Sequence, residues 1–216
     1  MACGSHGYPF VSLPLHPQRK EKLEDLINVD ESWVHYDPNA RRDMWLPRRE
    51  GPPTQAKSDY HSKKCLLRCF WDSRGMLYYE LLPQEGVITA TFYANQLWKL
   101  ADTVRERRPR RASVLLLHFN ARLHVAKGTR DKLEELGWDT VPHPPYSLDI
   151  VPSDYDLFRP LKAFLTQKKF TKIEDVERAI SDFFDSQPPH FWEKGISDLP
   201  IRWDVVVAND GDYIYC

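Results

Sequence analysis

The sequence predicts an α/β domain with a mixed β-sheet flanked by helices. Apolar, strand-like runs occur up to about residue 82, and the last two of these runs are joined by a turn and not by a helix. Beyond that point, strand-like runs alternate with stretches of helical periodicity. The chain has 216 residues, of which 42% are hydrophobic, enough to bury a core. Three antiparallel strands, followed by strands separated by helices, are expected from this order.

The predicted strands are short and apolar and are bounded by turn residues. Asp72-Ser73-Arg74-Gly75 has the composition of a hairpin turn between the second and third strands. The fourth strand is an aliphatic run of the kind that is buried in the middle of a sheet. The predicted strands are residues 30–36, 65–71, 76–82, 113–118 and 138–141.

Helix signals alternate with the later strands. Pro109 ends the first predicted helix and Gly137 is a C-cap candidate for the second. Pro152-Ser153-Asp154 has the composition of a helix start, and the Thr171 to Glu174 spacing is typical of a capping box. The predicted helices are residues 89–107, 125–136, about 154–165 and 173–184.

The domain is expected to occupy residues 19–216. Residues 1–18 are rich in Pro, Gly and His without periodicity, which favours an unstructured leader. Residues 38–62 contain four prolines and form an irregular segment of a length that is usually functional or disordered. No apolar run is long enough to span a membrane and no secretory signal is recognisable, so an intracellular protein is expected.

The charge balance excludes a protein that coats nucleic acid by bulk charge. Thirty basic residues against 31 acidic ones give a net charge of -1. Local basic patches occur at residues 41–50, with four arginines around Trp45, and at residues 105–111, with five arginines. Each is either a nucleic-acid contact or a solvated surface. Cys65 and Cys69 alternate onto one face of a strand and are interpreted as reduced core residues.

The element order suits the RNase H-like, retroviral-integrase-like fold. In that fold, acidic side chains from a central strand, a neighbouring strand and a helix converge on two divalent metal ions. Carboxylate oxygens favour hard cations, so Mg²⁺ or Mn²⁺ is the expected cofactor. Three carboxylates are the usual minimum for this chemistry.

Four segments resemble the catalytic domain of mariner (Tc1/mariner superfamily) DNA transposases. The resemblance covers nearly all of residues 19–216 in order and extends to the mariner-derived part of a SET-domain fusion histone methyltransferase. It implies an ancestral activity in DNA strand cleavage and transfer. The segments are VDESWVHYD, FWDSRGMLYYELLP, LLLHFNARLHVAKGTRDKLEELGWDTVPHPPYSLDIVPSDYDLF and LPIRWDVVVANDGDYIY.

The resemblance implies three catalytic aspartates, the last two separated by 34 residues. Asp30 matches the first and Asp154 the third, and both are the implied metal ligands. Counting back from Asp154 over 34 intervening residues gives Phe119 as the position of the second aspartate. It lies inside an otherwise intact His118-Phe119-Asn120-Ala121-Arg122 motif. A phenyl ring binds no cation, so the chain is expected to be a degenerate transposase domain with impaired catalysis.

Neighbouring carboxylates are poor substitutes for the missing ligand. Glu31 follows Asp30 on a strand and should point to the opposite face. Asp156 lies about 200° around a helix from Asp154. Asp149 lies in a loop and stays open as a candidate. The alternative for Asp30 and Asp154 is that they are ordinary surface or helix-start carboxylates.

DNA is the implied partner. Residues 38–62 correspond in position to the family's clamp loop, which reaches the partner subunit of a dimer. The motif of that loop is only partly kept here, and an exposed disordered loop is the alternative. The two helix-turn-helix modules of the family are not recognised before Arg19, so weak backbone contacts, a possible homodimer and a nuclear location are expected. A domesticated, non-catalytic DNA-binding or dimerisation module is the alternative function. The implied DNA-contacting residues are Arg41, Arg42, Trp45, Arg48, Arg49, Asn120 and His124.

Overall fold

The computed structural model describes residues 23–36, 63–84, 89–118, 126–142, 147–166 and 168–209. The strands in these ranges are β1 (Leu26–His35), β2 (Lys64–Asp72), β3 (Gly75–Pro83), β4 (Leu115–Leu117) and β5 (Asp139–Thr140). They form a five-stranded mixed sheet in the order β3-β2-β1-β4-β5. β1 pairs antiparallel with β2, and β2 with β3, whereas β4 runs parallel to both β1 and β5. The predicted α/β arrangement is confirmed.

Helices cover both faces of the sheet. The first two helices pack on one face, and the later helical segments pack on the other, so each face has its own hydrophobic core. A 3₁₀ turn (Leu148–Ile150) and a π-helical segment (Ser153–Phe158) lead directly into the third helix. The helices are α1 (Ala90–Arg107), α2 (Lys127–Leu136), α3 (Arg159–Leu165), α4 (Ile173–Ser186) and α5 (Pro189–Ala208).

Several local predictions are confirmed. Gly137 closes α2 in the left-handed conformation at φ 66°, as predicted. Helix α1 begins close to its predicted start, where the Thr89 hydroxyl accepts from Phe92 N–H at 3.1 Å and caps the helix. Cys65 and Cys69 are free, buried and part of the same core. The capping box is wrong, because Lys172 occupies the N-cap of α4 and makes no side-chain capping bond.

Helix α5 is not among the sequence predictions, and it contains three residues that usually break helices. Pro189 lies in the first turn, where the missing N–H costs nothing. A Cβ at Gly195 would lie 2.7 Å from both Asp156 Oδ2 and Trp71 Cη2, so the close approach of α5 to the sheet requires glycine. Pro200 lies inside the helix and is buried. In the part of the chain that the structure describes, neither α5 nor a shorter helix has the length and apolar character needed to cross a membrane.

The arginine cluster at residues 105–111 has a structural role. Arg108 binds both carboxylate oxygens of Asp72, at 2.9 and 3.0 Å, and Arg111 binds Oδ2 at 2.8 Å. The Asp72 side chain is fully buried at the β2–β3 turn. Arg107 donates to the carbonyl oxygen of Met76 at 3.1 Å. These arginines therefore fasten the end of α1 and the segment after it to the hairpin, a use that neither sequence interpretation anticipated.

Candidate functional site

Asp30 lies in the middle of β1, the central strand of the sheet. It is only 3% exposed. It points to the same face of the sheet as Leu26 and Val34, which lie four residues before and after it and pack in the core that includes the π-helical segment. Its Oδ1 accepts from the N–H of Glu31 at 2.7 Å. Its Oδ2 is buried and accepts no hydrogen bond from the residues that the structure describes. A buried carboxylate oxygen in this state calls for a cation or a proton.

Asp154 lies in the π-helical segment, which packs directly on β1. Burial raises the pKa of Asp154, and it raises the pKa of Asp30 well above its ordinary value of 3.8. The negative charge of Asp154 raises the pKa of Asp30 further. The ammonium of Lys162, on α3, lowers the pKa of both carboxyl groups and so acts in the opposite direction. The structure thus brings together two of the three positions that the sequence singled out.

A buried polar cluster joins β1, β2 and the start of the π-helical segment. Asn28 and Trp71 are cross-strand partners. With its amide oxygen turned toward Ser153, Asn28 accepts from the Ser153 hydroxyl at 2.5 Å and from its N–H at 3.2 Å. The hydroxyl in turn accepts from Trp71 Nε1 at 2.9 Å. Because Asn28 is two residues from Asp30 and Ser153 adjoins Asp154, this cluster fixes the two carboxylates relative to each other. Short π-helical segments are frequent at functional sites.

Ser153→Ala is expected to lower the free energy of unfolding by about 1–2 kcal/mol, because it removes the buried hydroxyl that donates to Asn28 and accepts from the Trp71 indole, while the Ser153 N–H still donates to Asn28. Urea unfolding followed by tryptophan fluorescence measures this. Ser197→Ala, which removes an exposed hydroxyl on α5, is the control and should change stability by less than about 0.5 kcal/mol. Equal effects of the two substitutions would contradict the role of the cluster.

Asp30→Asn is expected to stabilise the fold at neutral pH. Because folding raises the pKa of Asp30, the folded chain holds this proton more tightly than the unfolded chain. The stability that this contributes is fully present below about pH 3.8 and is lost as the pH rises through the raised pKa. The asparagine variant escapes the loss, so its advantage over the parent should grow from about pH 3 to about pH 7. Thermal unfolding across that range measures it.

Asp102→Asn, which neutralises an exposed carboxylate on α1, is the control for the loss of one negative charge. It should show no comparable growth in stability with pH. An Asp30→Asn variant that is less stable than the parent at neutral pH would mean that the carboxylate is stabilising in its present surroundings.

The substitute ligands considered from the sequence have other partners. Glu31 lies on the opposite face and pairs with the buried Arg68 at 2.6 Å. Asp156 turns toward Lys194 of α5, at 4.0 Å. Both predictions are confirmed. Within residues 23–36, 63–84, 89–118, 126–142, 147–166 and 168–209, no three or more His, Cys, Asp or Glu side chains form a metal-binding group. Asp149 therefore does not complete the pair; its backbone oxygen accepts from Arg202.

The other predicted site residues lie outside the described part of the chain. They belong to two segments, residues 37–62 and residues 119–125, and their roles stay predictions. They are Arg41, Arg42, Trp45, Arg48, Arg49, Phe119, Asn120 and His124.

Comparison with known proteins identifies relatives along nearly the whole chain. Residues 35–114 match a family model described as a transposase with a partial DDE domain. The chain is 35% identical over 205 residues to the human histone-lysine N-methyltransferase SETMAR, covering 94% of this chain and 30% of that protein. It is 33% identical over 201 residues to the mariner Mos1 transposase of Drosophila mauritiana, covering 91% of this chain and 58% of the transposase. The chain thus spans less than two thirds of either relative.

Solved structures give the same result. The Mos1 transposase catalytic domain with Raltegravir and Mg has a TM-score of 0.77 at 33% identity, with 92% of this chain and 89% of that chain covered. A pre-cleavage Mos1 transpososome has a TM-score of 0.83 at 33% identity, with 92% and 59% covered. These matches confirm the RNase H-like fold. The chain belongs to the mariner transposase family and corresponds to its catalytic domain.

Proposed function

We propose that this domain binds DNA and is a catalytically impaired transposase domain, whose metal site retains Asp30 and Asp154 and has lost its second carboxylate at Phe119. The observation that carries the proposal is the buried Oδ2 of Asp30, which accepts no hydrogen bond from the described residues and lies beside the charge of Asp154. Transposition-type strand cleavage is the ancestral reaction, and its rate in this chain is impaired.

The two carboxylates fit a hard divalent cation. Each is drawn out of water, and their mutual repulsion is relieved by a positive ion. The Mos1 catalytic domain has been solved with Mg and with Mn. Asp30 and Asp154 are the residues that would hold such an ion here. When bound, one such ion would help to activate the attacking oxygen at a phosphodiester.

Phe119 accounts for the impairment. Asn28 of β1 pairs with Leu117 of β4, and Asp30 and Phe119 each follow two residues later in the sequence. The second carboxylate of the family motif is therefore replaced by an apolar ring that supplies no ligand. Asp30 and Asp154 can still hold one cation, but charge neutralisation and positioning by two ions are lost.

We infer weak, salt-dependent binding to the DNA backbone and a nuclear location. Arg41, Arg42, Trp45, Arg48 and Arg49 supply cations and an aromatic ring suited to phosphate contact and base stacking. Asn120 and His124 flank the lost carboxylate. Relatives solved as a transpososome and as paired-end complexes with a transposon end support the DNA partner and a homodimer.

A non-catalytic DNA-binding or dimerisation module is the second candidate. Phe119 favours it, because a chain selected for binding alone does not need the second carboxylate. In that case, Asp30 and Asp154 are remnants, and the surviving property is the surface.

Incubation of the purified chain with Mg²⁺ or Mn²⁺ and nicked or transposon-flanked duplex DNA tests the proposal. The expected result is binding that weakens steeply with salt and no metal-dependent cleavage above background. Cleavage that Asp30→Asn abolishes would contradict the impairment. A chain that binds no DNA even at low salt would contradict the DNA-acting role altogether.

A further inference from the structure

A basic segment without acidic residues begins next to Asp154. Residues 157–173 contain no Asp or Glu, in a chain with 31 acidic residues overall. Four of its five basic side chains are exposed and the fifth, Lys168, is partly exposed. Its basic residues, hereafter the basic strip, are Arg159, Lys162, Lys168, Lys169 and Lys172.

The fold places the basic strip along the candidate metal site. Asp154, Phe158 and Lys162 follow one another at intervals of four residues through the π-helical segment and α3, so they lie in one row. The Lys162 ammonium lies over the Phe158 ring, 5.9 Å from its centroid. At the other end of the strip, Phe170 N–H donates to the carbonyl oxygen of Tyr36 at 2.9 Å. The strip therefore ends beside the C-terminal end of β1, the strand that carries Asp30.

Four of the five cations of the strip are available for a ligand. Within the described ranges, no ion pair involves Arg159, Lys162, Lys168 or Lys172. The arginines at residues 105–111 are different, since Arg105, Arg108 and Arg111 are paired with aspartates. Lys162 is near enough to both carboxylates to lower the pKa of each. A cation in that position also serves a phosphate approaching the same site.

Resting on the proposed function, we propose that the basic strip is a phosphate-backbone contact surface that holds duplex DNA against the Asp30–Asp154 site. Asp154 and Lys162 are eight residues apart, about 12 Å along a helix axis, which equals about three to four base pairs of duplex. A duplex whose reacting phosphate lies at Asp154 would therefore have another phosphate within reach of Lys162. Contacts of this kind position the duplex and carry no sequence information.

The test compares two charge-matched double variants by fluorescence anisotropy with a short labelled duplex, titrated with salt. The first variant, Lys162→Gln/Lys172→Gln, alters the strip. The second, Arg105→Gln/Arg110→Gln, alters one arginine in the last turn of α1 and one in the segment after it, near the N-terminal end of β1. The strip variant should lose about 1.8 from the slope of log K against log salt, about 0.9 for each contact. Its affinity at low salt should fall by about tenfold or more, while the control stays near the parent. Circular dichroism verifies the fold of both.

Equal weakening by the two double variants would overturn the strip as a specific surface and leave the proposed function intact. A parent chain that binds no duplex at any salt concentration would overturn both.

Manganese titration of Lys162→Gln supplies a second readout, in which the affinity for Mn²⁺ is expected to change in the direction opposite to the affinity for DNA. Removing a cation beside the carboxylates should tighten Mn²⁺ binding while DNA binding weakens. Lys168→Gln is the control, because Lys168 lies over the Phe164 ring at 4.1 Å and is not among the groups that alter the pKa of either carboxyl. Weaker Mn²⁺ binding in a Lys162→Gln variant whose circular dichroism matches the parent would contradict the electrostatic role.

Discussion

Replacement of Phe119 by aspartate is expected to raise the rate of metal-dependent DNA nicking by about three orders of magnitude over the parent chain. The substitution restores a carboxylate at the family's spacing, because 34 residues separate position 119 from Asp154. With this ligand restored, a second ion would stabilise the leaving oxygen and neutralise charge in the transition state. Such effects are worth several kcal/mol, and each ~1.36 kcal/mol is tenfold in rate. Nicking of supercoiled plasmid with Mn²⁺, followed on agarose gels, measures this.

Phe119→Asn is the matched control, since its side chain has nearly the shape of aspartate without the charge. It should stay at the parent's level, as should Phe119→Asp combined with Asp154→Asn. If Phe119→Asp nicks no faster than Phe119→Asn, the loss of activity is not confined to this position.

Asp72→Ala is expected to lower the free energy of unfolding by about 3–5 kcal/mol, a large share of a domain's stability. The carboxylate is fully buried and binds Arg108 and Arg111 together. Removing it leaves two guanidinium groups, one of them almost buried, facing each other without a counter-ion. Urea unfolding at neutral pH measures the loss.

The exposed pair between Arg105 and Asp102 provides the control on the same helix. Asp102→Ala should change stability by at most about 0.5 kcal/mol, because water screens exposed pairs. If Asp72→Ala and Asp102→Ala lower the free energy of unfolding equally, the arginine cluster does not fasten the hairpin. The structural role assigned to this cluster would then be wrong.

Strand alternation made the faces of the sheet predictable from sequence. It placed Glu31 opposite Asp30 and put Cys65 with Cys69, as observed. The strand bounds were less accurate: β1 begins at Leu26, four residues before the predicted start, because Leu26 to Val29 is buried on both faces and shows no alternation of polarity.

Long-range contacts explain what the sequence did not predict. Helix α5 contains Gly195 and Pro200, which normally break helices, and only its packing against Trp71 shows why glycine is needed. The partner of Arg108 and Arg111 is Asp72, more than 35 residues away, so local composition favoured a surface role.

The candidate site was predictable in its ligands and not in its surroundings. The resemblance to the mariner family pointed to Asp30 and Asp154, whereas the cluster of Asn28, Ser153 and Trp71 was missed. Asn28 shares a strand face with Asp30, and a buried amide at that position was the available signal. The basic strip was also detectable, as residues 157–173 are free of acidic side chains.

Manganese binding to the parent chain, to Asp30→Asn and to Asp154→Asn tests the central claim most directly. Isothermal titration calorimetry should show weak binding to the parent and none to either variant, while Phe119→Asp binds at least about tenfold more tightly because ligand charge sets affinity. If both asparagine variants bind Mn²⁺ as the parent does, Asp30 and Asp154 are not the surviving part of a metal site.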